Sequence, residues 1–90
     1  MSNTRWFKTH DGEYYSFEYA SNLWIAESQD EFWVKCSFAG AKYSQSISPH
    51  FNNKEDAIRL LDRIMRDFLN KDQSLIDISG ILKELRMKPV

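Results

Sequence analysis

Few of the residue types that carry catalysis occur in this 90-residue chain: one cysteine, two histidines, three glycines and two prolines. A lone cysteine, Cys36, excludes an internal disulfide and any Cys-x-x-Cys redox or zinc motif. It sits in an apolar alternating run, where a thiol acts as a core filler rather than a thiolate nucleophile. His10 and His50 have no cysteine or carboxylate at zinc-ligand spacing. Three glycines leave no phosphate-cradling loop, and neither nucleotide-binding fingerprint occurs. No Gly-x-Ser-x-Gly elbow and no Asp-x-Asp cluster is present. The expectation is a chain with no catalytic residues, no cofactor, no metal and no small-molecule substrate, hence not an enzyme.

Long apolar runs are also missing. No stretch approaches the roughly 18–20 apolar residues of a membrane span. The N-terminal MSNTRWFKTHDGEYY has no apolar stretch of signal-peptide type. With the single cysteine, this predicts a cytoplasmic, reducing location and no membrane partner. Charge of one sign is not in excess either: Lys+Arg 12 against Asp+Glu 13 gives a net charge of −1. The basic footprint of a duplex-DNA binder is therefore lacking. No repeat, low-complexity tract or linker divides the chain, so residues 1–90 read as one domain.

Aromatics are plentiful, at 14%, and unevenly placed. Of six Phe, four Tyr and three Trp, only Phe68 lies beyond residue 52. Before Ser48-Pro49, aromatic and β-branched residues alternate with polar ones; afterwards Leu, Ile and charged residues recur at helical spacing. Strands first and helices later predict an α+β domain, an antiparallel meander of four to five strands (1–48) packed on one or two helices.

The turns set the expected registers. Asp11-Gly12 is a two-residue hairpin signal that would pair Trp6 with Phe17 and Lys8 with Tyr15. Centring the polar connection Ser28-Gln29-Asp30-Glu31 pairs Ile25 with Val34 and Leu23 with Cys36 on one face. The other face then pairs Ala26 with Trp33 and Trp24 with Lys35. Gly40 as the first loop residue of a type II′ turn pairs Phe38 with Tyr43 and Val34 with Ile47. Expected strands are 4–9, 14–19, 22–28, 31–38 and 42–48. Asn53 reads as the N-cap of a helix to about Asn70, with Glu55 and Asp56 in its first turn. Its apolar stripe is Ala57, Leu61, Ile64 and Phe68, widened by Ile58, Leu60, Met65 and Leu69. Residues 74–87 read as a short second helix, with Leu75, Ile76 and Ile78 as an alternative short strand.

A helix covers only one sheet face. The side carrying Leu23, Ile25, Phe32, Val34, Cys36, Phe38, Tyr43 and Ile47 is the expected core, which turns Trp24, Ala26, Trp33 and Lys35 outward. If Ala20-Ser21 is a tight turn, Phe17 pairs with Trp24, and Trp6, Tyr15, Phe17 and Tyr19 join the outer face. A bulge there would turn Tyr15, Phe17 and Tyr19 to the core side and leave Tyr14 and Phe7 outside with the two tryptophans. The candidate interface is accordingly Trp24, Trp33, Lys35, Trp6, Tyr15 and Phe17, an aromatic patch large enough to require a partner. The expected function is a small protein-interaction module, self-associating as a homodimer or binding another protein through that patch.

The alternative is a single-stranded nucleic-acid binder using the same rings as a stacking platform. In element order, a four-strand meander followed by a helix resembles the unit of Pur-alpha and Whirly-type single-stranded nucleic-acid binders. That resemblance implies paired units with aromatic and basic residues on the sheet. Here the strand region carries Arg5, Lys8, Lys35 and Lys42 against six acidic residues before position 50, a departure from a basic sheet. Arg59, Arg63 and Arg66 form a basic stripe, but Glu55, Asp67 and Asp62 respectively lie four residues away. The expectation for that stripe is a salt-bridged solvent face.

Overall fold

Turn chemistry decides where the strands meet. The computed structural model describes residues 4–90. In it, β1 (Trp6–Lys8) and β2 (Tyr14–Ser16) form an antiparallel hairpin pairing Trp6 with Ser16, Phe7 with Tyr15 and Lys8 with Tyr14. This register lies one residue from the expected one, because the loop has three residues rather than two. The Thr9 N–H donates to the Glu13 carbonyl at 2.8 Å, and the Gly12 N–H closes on the Thr9 carbonyl at 3.0 Å. Gly12 takes the positive φ, +86°, that a type I turn followed by a bulge requires. The Thr9 hydroxyl accepts the Glu13 N–H at 3.1 Å and holds the loop closed. One residue of slip puts Tyr15 on the opposite face from Trp6.

The second hairpin, β3 (Ala20–Ser28) with β4 (Glu31–Phe38), has the expected register: Ile25↔Val34, Leu23↔Cys36, Ala26↔Trp33 and Trp24↔Lys35. Gln29 and Asp30 both adopt positive φ, +52° and +63°, so the strands join through a two-residue type I′ turn without glycine. Next, β5 (Gln45–Ser46) keeps the expected alignment, with Cys36↔Gln45, Lys35↔Ser46 and the Ile47 N–H on the Val34 carbonyl at 3.0 Å. It is much shorter than 42–48, and Tyr43 is 70% exposed instead of paired with Phe38. Gly40, at φ +81°, sits third in a four-residue turn closed by the Ala41 N–H on the Phe38 carbonyl at 3.0 Å. That is type II geometry, whose twist splays the strands where type II′ would align them.

The strands fall into two sheets instead of one meander. After β2 the chain makes a turn of 3-10 helix, Phe17–Tyr19, with the Ser16 hydroxyl accepting the Glu18 N–H. The register shift between Ala20 and Asn22 then leaves Ser21 as a bulge. No pairing joins β2 to β3, so the expected Phe17–Trp24 register does not form. Instead β1 pairs on its other side, in parallel, with β6 (Leu75–Asp77), giving sheet orders β2-β1-β6 and β3-β4-β5. Residues 74–87 are thus a strand followed by a short helix, α2 (Ile78–Glu84), and not one helix. The long helix α1 (Lys54–Leu69) begins as expected, the Asn53 Oδ1 accepting the Asp56 N–H at 2.9 Å. The whole is a single compact α+β domain, but its mixed second sheet departs from the meander-and-helix unit of the nucleic-acid binders above.

Helix α1 packs on β3 and β4 and also touches α2 and β6. Its inward stripe is Ala57, Leu60 and Ile64, with Leu61 and Phe68 at the margins, against Val34, Cys36 and Ile47. Each buried aliphatic side chain contributes ~1.5–3 kcal/mol. The second sheet adds Phe7 and Ile76 to the same core, and a ring cluster joins the halves. Phe7 lies 4.4 Å from Phe17, Phe17 stacks on Phe68 at 5.1 Å, and Tyr15 stacks on Phe38 at 4.8 Å.

Candidate functional site

Of the six residues expected to form one outer patch, the structure keeps three together. Trp24, Trp33 and Lys35 lie on the face of the first sheet turned away from α1, with Trp24 directly opposite Lys35. All three are half-buried. Trp33 is engaged within the molecule: its indole N–H donates to the Ser46 hydroxyl at 3.0 Å, and its ring stacks on His50 at 3.9 Å. The His50 Nδ1 meets the Glu31 carboxylate at 2.7 Å, so ring, imidazole and carboxylate form one column.

Phe17 and Tyr15 are not on that face. Phe17 is 4% exposed in the core, and Tyr15 is half-buried against Phe38. The bulge at Ser21 and the three-residue first loop turn both rings inward. Burial, with the Glu13 carboxylate beside it, raises the Tyr15 phenol above its ordinary 10.0. Phe7, left outside in the bulged reading, is fully buried, whereas Tyr19 stays 57% exposed.

Trp6 is exposed, but on the second sheet. The registers Trp6↔Ser16, Lys8↔Tyr14, Trp6↔Leu75 and Lys8↔Asp77 put Trp6, Tyr14, Leu75 and Lys8 on one face, opposite the buried Phe7 and Ile76 and the half-buried Tyr15. Trp6 is 41%, Tyr14 55% and Leu75 40% exposed. With Thr4 and Ser74 these three line an open cleft of about 540 Å³. The Lys8 ammonium lies 5.8 Å from the centre of the Tyr14 ring, a favourable cation–π placement. Leu75 was missed as a surface residue, because only the parallel β1–β6 pairing brings it beside Trp6.

The arginine stripe is mostly paired, as expected, though with partly different partners. Arg63 bonds Asp67 at 3.2 Å and also Glu84 of α2; these contacts, led by the Glu84 bond, raise its pKa. Arg59 takes Asp56 at 3.7 Å instead of Glu55, and its guanidinium donates to the Leu85 carbonyl. Arg66 has no ion pair within 4.0 Å among the described residues. These arginines, with Asp62 and Leu85, line a smaller cleft of about 290 Å³.

Chemically reactive groups are dispersed. Cys36 is fully buried, and desolvation pushes its thiol up to about 12. His10, in the first loop, lies 3.3 Å from Asp11, whereas His50 pairs with Glu31. Among the described residues no group of three metal-ligating side chains comes together, and no helix is long and apolar enough to cross a membrane. Comparison with protein-family models, curated proteins and solved structures returns no match for this chain.

Proposed function

We propose that the chain is a non-enzymatic interaction module whose binding surface for a polypeptide partner is the Trp6–Tyr14–Leu75 cleft of the second sheet. The observation that carries this reading is the exposure of two large rings and an aliphatic side chain around one open cleft of about 540 Å³. Aromatic anchors in such settings dominate protein interfaces. Lys8 and the flanking Thr4 and Ser74 supply a polar rim, as interface rims usually have. The near-neutral net charge of −1 favours a protein over a nucleic-acid strand.

The test uses the double variant Trp6→Ser/Tyr14→Ser, whose side chains are exposed enough to leave the core intact. Peptides selected from a random library against the wild-type chain should bind the variant at least about thirtyfold more weakly, the value of a hot-spot residue. Undiminished binding of those peptides by a folded double variant rejects the cleft as the binding surface. Salt-dependent quenching of tryptophan fluorescence by oligonucleotides would instead favour the nucleic-acid alternative.

A further inference from the structure

Among the described residues, the nine-residue β3 is the longest strand, and it is paired along one edge only. Which of its backbone groups line the open edge follows from β4. The Val34 carbonyl accepts the Ile47 N–H at 3.0 Å, and the Val34 N–H donates to the Ser48 hydroxyl at 2.8 Å. The Phe32 N–H and carbonyl likewise bond Phe51, at 2.9 and 2.7 Å. Phe32 and Val34 therefore turn their backbone groups away from β3. In an antiparallel ladder the residues opposite them, Glu27 and Ile25, must then point their own N–H and C=O groups outward. Leu23, opposite Cys36, follows by the two-residue period. None of these outward groups on Leu23, Ile25 or Glu27 has a backbone partner among the described residues.

We propose that this edge pairs with the same edge of a second copy, antiparallel about a twofold axis at Ile25, so that two sheets join into one. The edge is self-complementary. Outward groups at residues 23, 25 and 27 are symmetric about Ile25. Ile25 then faces the partner's Ile25, and Leu23 faces the partner's Glu27, each pair exchanging two hydrogen bonds. On the outer face, the bulky Trp24 falls opposite the partner's Ala26 at the non-hydrogen-bonded positions, where side chains approach closest. A two-residue slip either way would set Trp24 on Trp24, or Ala26 on Ala26, and lose that fit. Residues 20–26 carry no charge, and β3 contains neither the lysine nor the proline that usually guards an exposed edge. Pairing also extends the face that holds Trp24, Trp33 and Lys35 across both copies, a surface distinct from the Trp6 cleft.

The test is amide exchange by NMR together with sedimentation of the full chain. Wild type should sediment as a dimer, with the amides of Leu23, Ile25 and Glu27 protected along with those of Trp24 and Ala26. Glu27→Pro removes an N–H that makes no bond among the described residues, a site where a strand tolerates proline. It should weaken dimerisation by about thirtyfold, from two lost hydrogen bonds across the axis. Protection should fall at Leu23 and Ile25 in step with the dimer population but persist at Trp24 and Ala26, which bond to β4. If the proline variant does not fold, the wild-type exchange pattern still decides. A monomer at NMR concentrations, or a dimer whose Leu23 and Ile25 amides exchange like loop amides, overturns the proposal. Trp6→Ser/Tyr14→Ser should leave this dimer intact, so the two readings fail separately.

Discussion

Cys36 shows how far a single residue can be read from its neighbours in the chain. Its place between Val34 and Phe38 marks it as core, and it is fully buried with its thiol pushed up to about 12 from 9.0. Because the unfolded chain releases this proton near pH 9 and the folded chain holds it until about pH 12, stability falls as pH rises through that window. Urea titrations at several alkaline pH values should therefore show a steeper loss of stability for wild type than for Cys36→Ala. Parallel curves would mean that Cys36 ionises equally in both states. Tyr15 acts in the same direction, and the wild-type-to-variant difference isolates the thiol. Trp33 was legible as outward-facing, but its stack on His50 was not: residues 17 apart meet only once Phe51 bridges to Phe32.

At the scale of elements, turns and caps carried the readable signals, and small differences in turn geometry carried the errors. Asn53 capped α1 as expected, since the side-chain oxygen and the following acidic turn act locally. The Gln29-Asp30 turn set the right register although neither residue is glycine, and both sit at positive φ, where an ordinary side chain is strained. Asp30→Gly should therefore stabilise the protein by ~0.5–1 kcal/mol, after allowing for the greater freedom of glycine in the unfolded chain. Urea denaturation measures this directly; a destabilised variant would show that the Asp30 side chain contributes more than its backbone strain costs. In the first hairpin, the choice between a two- and a three-residue loop rested on Thr9 closing onto Glu13, a contact that the Asp11-Gly12 pair alone does not specify. The apolar stripe of α1 was readable, but Ile58, Met65 and Leu69 proved exposed because Leu60 faces the sheet and turns them aside.

At the scale of the whole molecule, the β1 end of the second sheet is tied to the end of α1 by a residue that composition counts only as one positive charge. The Arg5 Nε donates to the Gln73 carbonyl at 2.7 Å, and its Nη2 donates to the carbonyls of Asn70 at 2.8 Å and Asp67 at 3.2 Å. The Asp67 and Asn70 carbonyls lie at the C-terminal end of α1 and also accept the backbone N–H groups of Asn70 and Gln73; a cation there is favoured by the helix dipole. The guanidinium lies 4.6 Å from the centre of the Phe17 ring, capping the aromatic cluster. Lysine cannot span three carbonyls and a ring face with one ammonium. Arg5→Lys should cost ~2–3 kcal/mol of stability, measured by denaturant unfolding. A wild-type midpoint in the lysine variant would reduce Arg5 to a charge without a geometric role.

By itself the sequence determined the α+β class, the β3–β4 register, the cap and span of α1, and the outward placement of Trp24, Trp33 and Lys35. Each rests on a two-residue or 3.6-residue period, or on a turn, within a few positions of chain. Only the tertiary structure decided that β2 stays apart from β3 and that β1 pairs with β6, almost seventy residues away. That decision brought Leu75 beside Trp6 and left β3 with an open edge, while the bulge at Ser21 and the first loop turned Phe17 into the core and Tyr15 against it. No local period encodes it. A parallel pairing closes a long loop, and the burial that compensates for closure comes from Phe7, Phe17, Phe68 and Ile76 packing together, residues spread over nearly the whole chain.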